Sequence, residues 1–329
     1  MNKSSNRAGA ILVLAVLAAV LLASTGCDSK KETTIRYGGQ YYPEEFLLKG
    51  YPQVWDDYGI SVEHILFSSG TESDQALIAG EIDINVGSDS KTVGLFNAIP
   101  DRALIIGTVQ RGDRYSTIVR TDSPYQSWYD LKGKTVGTRL GTGAEQVLLR
   151  YFELTPDLSW DDFEWVNIKV EDMVAALTNG SIEAFTAWEP TPSVAESQGV
   201  GRVIKSYGDV ALVPVMIHTT VSFAEQHPQE LASFLAAHLE KAELIRTDPD
   251  RAAQLAAEAA SAQGIEVSAD AFKRIFQRVD FSLDIDDAVL ASIEDTAQFL
   301  LEQDQIDAIP ELRWDASFLE EAKKLRAKK

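Results

Sequence analysis

The feature of this sequence that most constrains its fold is a pattern that occurs twice. Ala76–Asp83 reads Ala-Leu-Ile-Ala-Gly-Glu-Ile-Asp, and Ala176–Glu183 repeats the form Ala-Leu-x-x-Gly-x-Ile-acid. Each copy ends a helical pattern at a glycine and enters a strand, and strand patterns precede the copies at Ile60–Phe67 and Phe163–Val170. Strands that alternate with helices form parallel sheets covered by helices on both faces. The chain is therefore predicted to be an α/β protein of two related halves, although unrelated α/β segments can also look alike.

The segments that follow the predicted strands are polar and rich in glycine. Ligands of parallel sheets bind beyond the carboxyl ends of the strands, so these segments are the candidate binding loops. The candidate ligand-binding residues are Gln40, Tyr41, Ser69, Gly70, Ser88, Asp89, Arg139, Gly141, Thr142, Gly143, Trp188 and Glu189.

The loop Arg139–Gly143 has the composition of an anion-binding loop. Its glycines allow the backbone to approach a ligand, and the helix that follows would present free N–H groups to an anion. Arg139 adds a charge and Thr142 a hydroxyl. The alternative is a plain strand–helix turn in which Thr142 caps the helix.

Three other candidates also have two interpretations. Asp89 could accept from a ligand or cap the next helix, Ser69 could contact a ligand or cap a helix, and Glu189 could bind a cation or hold a hinge.

Two extended segments predict how the halves are joined. Arg114–Thr121 has the pattern of a strand that crosses to the second half, and Val210–Val221 has the pattern of a return strand. We therefore expect lobe one to contain residues 34–118 and 219–329, and lobe two residues 119–218. The binding loops of the two lobes would then face each other across a cleft.

The N-terminus has the pattern of an export signal. Lys3 and Arg7 precede the apolar run Ala10–Ala23, which is shorter than the about 20 residues of a membrane span and suits a signal peptide. Small residues follow, and then Cys27, the only cysteine.

This order resembles a bacterial lipoprotein signal, in which the cysteine is lipidated and becomes the first residue. Ser24 stands where such signals usually have leucine, so an ordinary secretory signal is the alternative. We assign residues 1–26 to a lipoprotein signal and 27–33 to a tether. The expected location is outside the cytoplasm, anchored by Cys27 to the bacterial cell membrane.

Charge and composition exclude several classes of protein. The chain has 30 Lys+Arg against 50 Asp+Glu, a formal net charge of −20, and such a chain repels the phosphate backbone of nucleic acids. One cysteine cannot form an intrachain disulfide or a cysteine zinc site. The four histidines lack the H-E-x-x-H spacing. We therefore expect no nucleic-acid partner, no metal and no cofactor.

Several segments, in this order, resemble the substrate-binding proteins of ABC importers of the nitrate, sulfonate and taurine type. That group also includes binders of thiamine-pyrimidine precursors. The segments that carry the resemblance are Gly70–Asp83, Asp130–Gly137, Ala176–Glu183, Trp188–Pro190 and Phe223–Pro228. The resemblance implies a two-lobed periplasmic-binding-protein-like fold of type II, with two crossing strands and a ligand cleft between the lobes.

The same resemblance implies a function. The protein is expected to be a monomer that captures a small polar or anionic organic solute and delivers it to ABC permease subunits served by a cytoplasmic ATPase. The alternatives are a binder of a thiamine-pyrimidine precursor and an enzyme on the same fold. We expect no enzymatic activity, because no Cys–His or Ser–His–Asp arrangement is supported by spacing and the enzymes of this fold lack export signals.

Overall fold

Two mixed β-sheets form the two lobes within residues 33–329, the part of the chain that this computed structural model describes. The first sheet has the spatial order β11-β4-β10-β3-β1-β2, and the second has the order β7-β6-β8-β5-β9. The strands are β1 Thr34–Gln40, β2 Ser61–Phe67, β3 Ile84–Ser88, β4 Ala103–Gly112, β5 Tyr115–Arg120, β6 Thr135–Thr138, β7 Glu164–Asn167, β8 Ala184–Trp188, β9 Gly201–Ser206, β10 Val215–Thr220 and β11 Val279–Asp280.

Helices connect the strands and cover both sheets. They are α1 Pro43–Gly50, α2 Gln53–Asp57, α3 Gly70–Ala79, α4 Asp89–Ala98, α5 Gly143–Glu153, α6 Val170–Thr178, α7 Thr191–Ser197, α8 Val221–Gln226, α9 Pro228–Thr247, α10 Pro249–Ser261, α11 Ala269–Arg278, α12 Asp287–Glu302 and α13 Ser317–Arg326. None of the helices between residues 33 and 329 is long and apolar enough to span a membrane. The predicted signal and Cys27 lie outside the described residues.

The two halves have the same local topology. In each half, the first strand pairs in parallel with the two strands that follow it: β1 with β2 and β3, and β6 with β7 and β8. An antiparallel strand from elsewhere in the chain then extends each sheet, β10 beside β3 and β5 beside β8. The α/β prediction and the two-lobed fold are confirmed.

The repeated sequence pattern has the same physical role in both halves. Its glycines, Gly80 and Gly180, take left-handed φ values of 74° and 78° within two residues of a helix end, a conformation that favours glycine. The isoleucine that follows is buried in each copy. The acid then exchanges two hydrogen bonds with the start of the first strand: Asp83 with Arg36, and Glu183 with Thr135.

The chain passes from one sheet to the other a few residues before the expected lobe boundaries at 118 and 218. Strand β5 pairs along its length with β8 and β9 of the second sheet, and β10 pairs with β3 and β4 of the first. The connections between the lobes are therefore Asp113–Arg114 and residues 207–214. The extended sequence patterns that marked the crossings belong to sheet strands, because a crossing needs only the few residues between them.

Candidate functional site

Arg114, in the connection from β4 to β5, is a buried cation. Its residue surface is 1% exposed. The Nε–H donates to the carbonyl oxygen of Val213 at 3.3 Å, whereas neither terminal nitrogen has a hydrogen-bond partner in the described part of the chain. Burying a charge costs free energy unless it is paired. A bound anion would therefore be stabilised at this guanidinium.

Two tyrosine rings lie against Arg114, and a tryptophan ring packs against both of them. Its guanidinium carbon lies 4.4 Å from the centroid of the Tyr115 ring and 5.5 Å from that of Tyr42. The Trp188 ring packs edge-on against both tyrosines, with centroid distances of 6.4 Å. All three rings are buried, and cation–π contacts of this kind are strongest away from water. Burial raises the pKa of Tyr115 to about 12, so its hydroxyl keeps its proton at neutral pH.

Other buried polar atoms in the two lobes also lack partners among residues 33–329. Among them are the amide oxygen and nitrogen of Gln110, the Oγ of Ser69 and the Oε1 of Gln146. Gln110 pairs with Val215 of β10, which pairs on its other side with Ser88, so Gln110 lies at the same sheet edge as the predicted loops. An unsatisfied buried polar atom costs about 1–3 kcal/mol, which a ligand that bonds it would offset.

The predicted residues of β1 and α3 lie together. The Gln40 side chain donates from Nε2 to the Val86 carbonyl at 2.8 Å. A Cβ on Gly70 would lie 3.4 Å from that same nitrogen, and Ser69 directly precedes Gly70. Tyr41 instead lines an apolar cavity of about 540 Å³ between α6, α7 and Ile265.

The Asp89 carboxylate is already bonded within the protein. It accepts from the Ser90 N–H at 2.8 Å and from the Thr296 hydroxyl of α12 at 2.7 Å. The Gln146 side chain of α5 donates to that same hydroxyl at 2.7 Å. Ser88 is the last residue of β3, and its hydroxyl lies 3.1 Å from that of Ser90. Asp89 therefore ties lobe one, through α12, to lobe two.

The loop Arg139–Gly143 mostly bonds to itself. The Thr142 side chain accepts from the Ala144 N–H and donates to the Arg139 carbonyl at 2.6 Å, so it caps α5. Gly141 has a left-handed φ of 70°, and its N–H donates to Glu145 at 2.6 Å. The Arg139 side chain is 24% exposed and lies 4.0 Å from Glu72 of α3 in the other lobe.

Gly143 is required by the packing of an aromatic ring. A Cβ at this position would lie 2.3 Å from the Tyr115 hydroxyl oxygen and 3.2 Å from a methyl carbon of Val213. The sequence indicated that a glycine here admits a ligand. In the structure it admits the side chain that lies against Arg114.

Glu189 forms an ion pair that joins the lobes. Its carboxylate pairs with Arg278 of α11 and accepts from the Ser193 N–H at 3.3 Å. Its own N–H donates to the Arg114 carbonyl at 2.9 Å. Of the two interpretations that the sequence left open, this geometry favours the structural one.

Sequence reasoning missed Arg114, Gln110 and Tyr115 as candidate site residues, and of the two tyrosines that follow β1 it selected Tyr41 rather than Tyr42. Arg114 and Tyr115 were assigned to a crossing strand, and Gln110 to none of the loops. The sequence did contain a signal for Arg114. The connection between two lobes lies at the base of the cleft between them, so its polar residues are candidates for the site. Arg114, two residues after the glycine that ends β4, lies in that connection.

Comparison with known proteins identifies relatives over most of the chain. Residues 48–252 match the family described as NMT1/THI5 like. A Bacillus subtilis protein named for the binding of aliphatic sulfonates is 26% identical over 236 residues, which are 68% of this chain and 70% of that protein. The taurine-binding periplasmic protein of Escherichia coli is 22% identical over 269 residues, 76% of this chain and 80% of its own.

A solved structure has the same fold. The alkanesulfonate-binding protein SsuA from Xanthomonas axonopodis, bound to MOPS, superposes with a TM-score of 0.73 at 19% identity, covering 84% of this chain and 94% of that one. The fold is thus that of the periplasmic binding proteins. Because the family match spans more than half of the sequence, this chain belongs to the NMT1/THI5-like family.

Proposed function

We propose that this protein is the extracytoplasmic solute-binding component of an ABC importer and that it captures a small organic anion, with a sulfonate as the first candidate. The observation that carries the proposal is the Arg114 guanidinium, buried between aromatic rings with both terminal nitrogens unbonded by the described residues. The similarity to proteins named for the binding of aliphatic sulfonates and of taurine supports an organic anion as the ligand.

The ligand would take its contacts from both lobes. Arg114 bonds the anionic group, Gln110 and Ser69 supply polar contacts from lobe one, and Gln146 supplies one from lobe two. The rings of Tyr42, Tyr115 and Trp188 form the walls. Of the residues predicted from sequence, we retain Gln40, Ser69, Gly70, Ser88, Trp188 and Gly143 at or beside the site.

Three of the remaining predicted residues, Arg139, Glu189 and Asp89, would hold the lobes together around the ligand. Arg139 faces Glu72, Glu189 pairs with Arg278, and Asp89 is bonded through Thr296. A ligand shifts such a protein toward its closed form only by binding that form more tightly. The side chains of Arg139 and Arg278 are partly exposed. A permease could therefore bind them in place of their acidic partners, which would open the lobes and release the ligand.

Calorimetry and scattering test the function. The chain from residue 27 is titrated with 1-butanesulfonate, and with 1-butanol and 1-butylamine as controls of equal carbon length without the anion. We expect one sulfonate per chain, a smaller radius of gyration when it is bound, and recovery of the ligand chemically unchanged. Failure of every organic anion to bind would contradict the proposal, and a chemically altered ligand would establish the enzyme alternative.

We also propose that the protein is exported and lipid-anchored through Cys27. Two acyl chains anchor a protein stably, whereas one does so only marginally. Cys27→Ser should therefore move the protein from the membrane fraction to the soluble extracytoplasmic fraction. Mass spectrometry of the N-terminal peptide provides the second measurement, and a wild-type peptide without lipid would contradict the anchor.

A further inference from the structure

An apolar cavity lies between the two lobes, and the proposed contacts to the anionic group leave it unused. Its volume is about 540 Å³, within the range of about 300–1,000 Å³ that small-molecule sites usually have. Lobe two supplies one wall from α6 and α7. Lobe one supplies the other wall from Tyr41 and from Gly264–Glu266, which lie in the connection between α10 and α11. The cavity is therefore formed by both lobes together.

The cavity lies at the carboxyl ends of the strands, where ligands of such sheets bind. Helix α6 begins three residues after β7 ends, and α7 begins three residues after β8 ends. Tyr41 directly follows β1. Trp188, the last residue of β8, pairs with Tyr115, which follows Arg114 in the chain. The cavity and Arg114 thus belong to the same cleft.

Two short segments of chain join the cavity to the proposed anion site. On lobe one, the Tyr42 ring lies 5.5 Å from the Arg114 guanidinium carbon, and the preceding residue, Tyr41, lines the cavity. On lobe two, the Glu189 N–H donates to the Arg114 carbonyl at 2.9 Å, and the following residue, Pro190, lines the cavity. A ligand bound at Arg114 therefore needs only a short extension to reach this cavity.

The walls of the cavity favour an apolar group. They include four branched aliphatic side chains, those of Val170, Val174, Val194 and Ile265. The charged residues in the described part of the lining are Glu171 and Glu266, and both are exposed. Carboxylates repel a second anion, whereas the burial of apolar surface between apolar walls is favourable. The occupant that fits is the uncharged, apolar part of a ligand.

The walls also depend on how the two lobes are placed. Val194 of α7 and Val174 of α6 pack into a hydrophobic cluster that otherwise belongs to lobe one and includes Phe46 and Phe272. An apolar group between these walls would contact both lobes. It would therefore bind the arrangement in this structure more tightly than an open one, which is the condition for driving closure.

We propose that this cavity holds the apolar tail of the ligand whose anionic group binds Arg114, so that the preferred ligand is an organic anion with an extended alkyl or aromatic tail. The inference rests on the proposed function. The anionic group provides recognition by charge, and the tail provides the apolar surface that the cavity buries. Each methylene group that enters the cavity should raise the affinity by about fourfold.

Calorimetry with a series of straight-chain sulfonates measures the contribution of the tail. The probes are ethanesulfonate, 1-butanesulfonate and 1-octanesulfonate, which share the anionic group and differ only in the number of methylene groups. We expect 1-octanesulfonate to bind at least about tenfold more tightly than 1-butanesulfonate, with a more negative heat-capacity change because more apolar surface is buried. 1-Octanol, which lacks the charge, should bind at least about tenfold more weakly than 1-octanesulfonate.

Ala175→Leu tests whether the tail lies in this cavity. Ala175 lines the cavity and is exposed on α6, so leucine adds volume there at little cost in helix propensity. We expect this variant to lower the affinity for 1-octanesulfonate at least about tenfold more than the affinity for ethanesulfonate. Ala291→Leu, at an exposed position of α12, is the matched control and should change neither affinity.

If Ala175→Leu does not fold, Thr178→Leu provides a second variant, since Thr178 is exposed on α6 and lines the same wall. Equal affinities for ethanesulfonate and 1-octanesulfonate would overturn the inference and would leave the cavity to another occupant, such as a segment of the permease. A dependence on tail length that neither variant reduces would place the tail elsewhere and would also overturn it. So would 1-octanol that binds as tightly as 1-octanesulfonate. Absence of binding by every sulfonate in the series would instead overturn the proposed function.

Discussion

Arg114→Gln is expected to lower the affinity for 1-butanesulfonate by at least about a hundredfold. The change removes the charge and both terminal N–H donor groups that no described residue occupies. A hydrogen bond to a charged group contributes about 1.5–3 kcal/mol, and two such bonds correspond to about a hundredfold or more in the dissociation constant. Calorimetry of the wild type and the variant measures the difference.

The ligand-free Arg114→Gln variant should be at least as stable as the wild type. Glutamine removes the cost of a buried, unpaired guanidinium, so the melting temperature without ligand should be unchanged or higher. Arg139→Gln is the matched control, since that arginine is partly exposed and lies 4.0 Å from Glu72; its effect on affinity should stay below about tenfold. An Arg114→Gln protein that is folded and binds the sulfonate as tightly as the wild type would remove Arg114 from the site.

Gly143→Ala should destabilise the protein by about 1–3 kcal/mol, the usual cost of overpacking a filled core. The new methyl group would lie 2.3 Å from the Tyr115 hydroxyl oxygen and 3.1 Å from the ring carbon that bears it. The ring that lies 4.4 Å from Arg114 must then move, so we also expect weaker sulfonate binding. Thermal unfolding and calorimetry measure the two effects.

Two variants control for this interpretation. Gly94→Ala lies in α4 with nothing within 4 Å of the added carbon, and it should be neutral or stabilise the helix by up to about 1 kcal/mol. Tyr115→Phe combined with Gly143→Ala removes the nearest clashing atom and should recover part of the lost stability, a coupling that a double-mutant cycle detects. If the two substitutions are additive, the contact between Gly143 and Tyr115 is not the cause.

Much of the fold was predictable because it is determined by local sequence. The repeated Ala-Leu-x-x-Gly-x-Ile-acid pattern specifies a buried helix face, a left-handed glycine and an apolar strand, all set within eight residues. The acid at its end, Asp83 or Glu183, then fixes the strand register through bonds to the first strand. The alternation of strands and helices then determines the sheet type, because it permits few topologies other than a parallel sheet.

The candidate site was predictable only as a location. The rule that ligands bind beyond the carboxyl ends of strands indicated one edge of each sheet, and Ser69, Gln40 and Trp188 lie at the edge where we propose the site. It did not show which way a side chain points. Thr142 and Asp89 are residue types that often bind ligands, but their side chains bond within the protein. Thr142 caps a helix, and Asp89 bonds Thr296, which joins it to the other lobe.

The sequence by itself determined the α/β class, the two halves, the export-type pattern of the N-terminus and the sheet edges at which we propose that a ligand binds, since each depends on residues close together in the chain. Only the tertiary structure decided which charges remain available for a ligand. Glu189 and Arg139 pair with residues on α11 and α3 of the opposite lobe, whereas Arg114 is buried against aromatic rings and no acid in the described part of the chain is bonded to it. Pairing between residues far apart in sequence depends on how the lobes pack, and a pattern of neighbouring residues in the sequence does not show that packing.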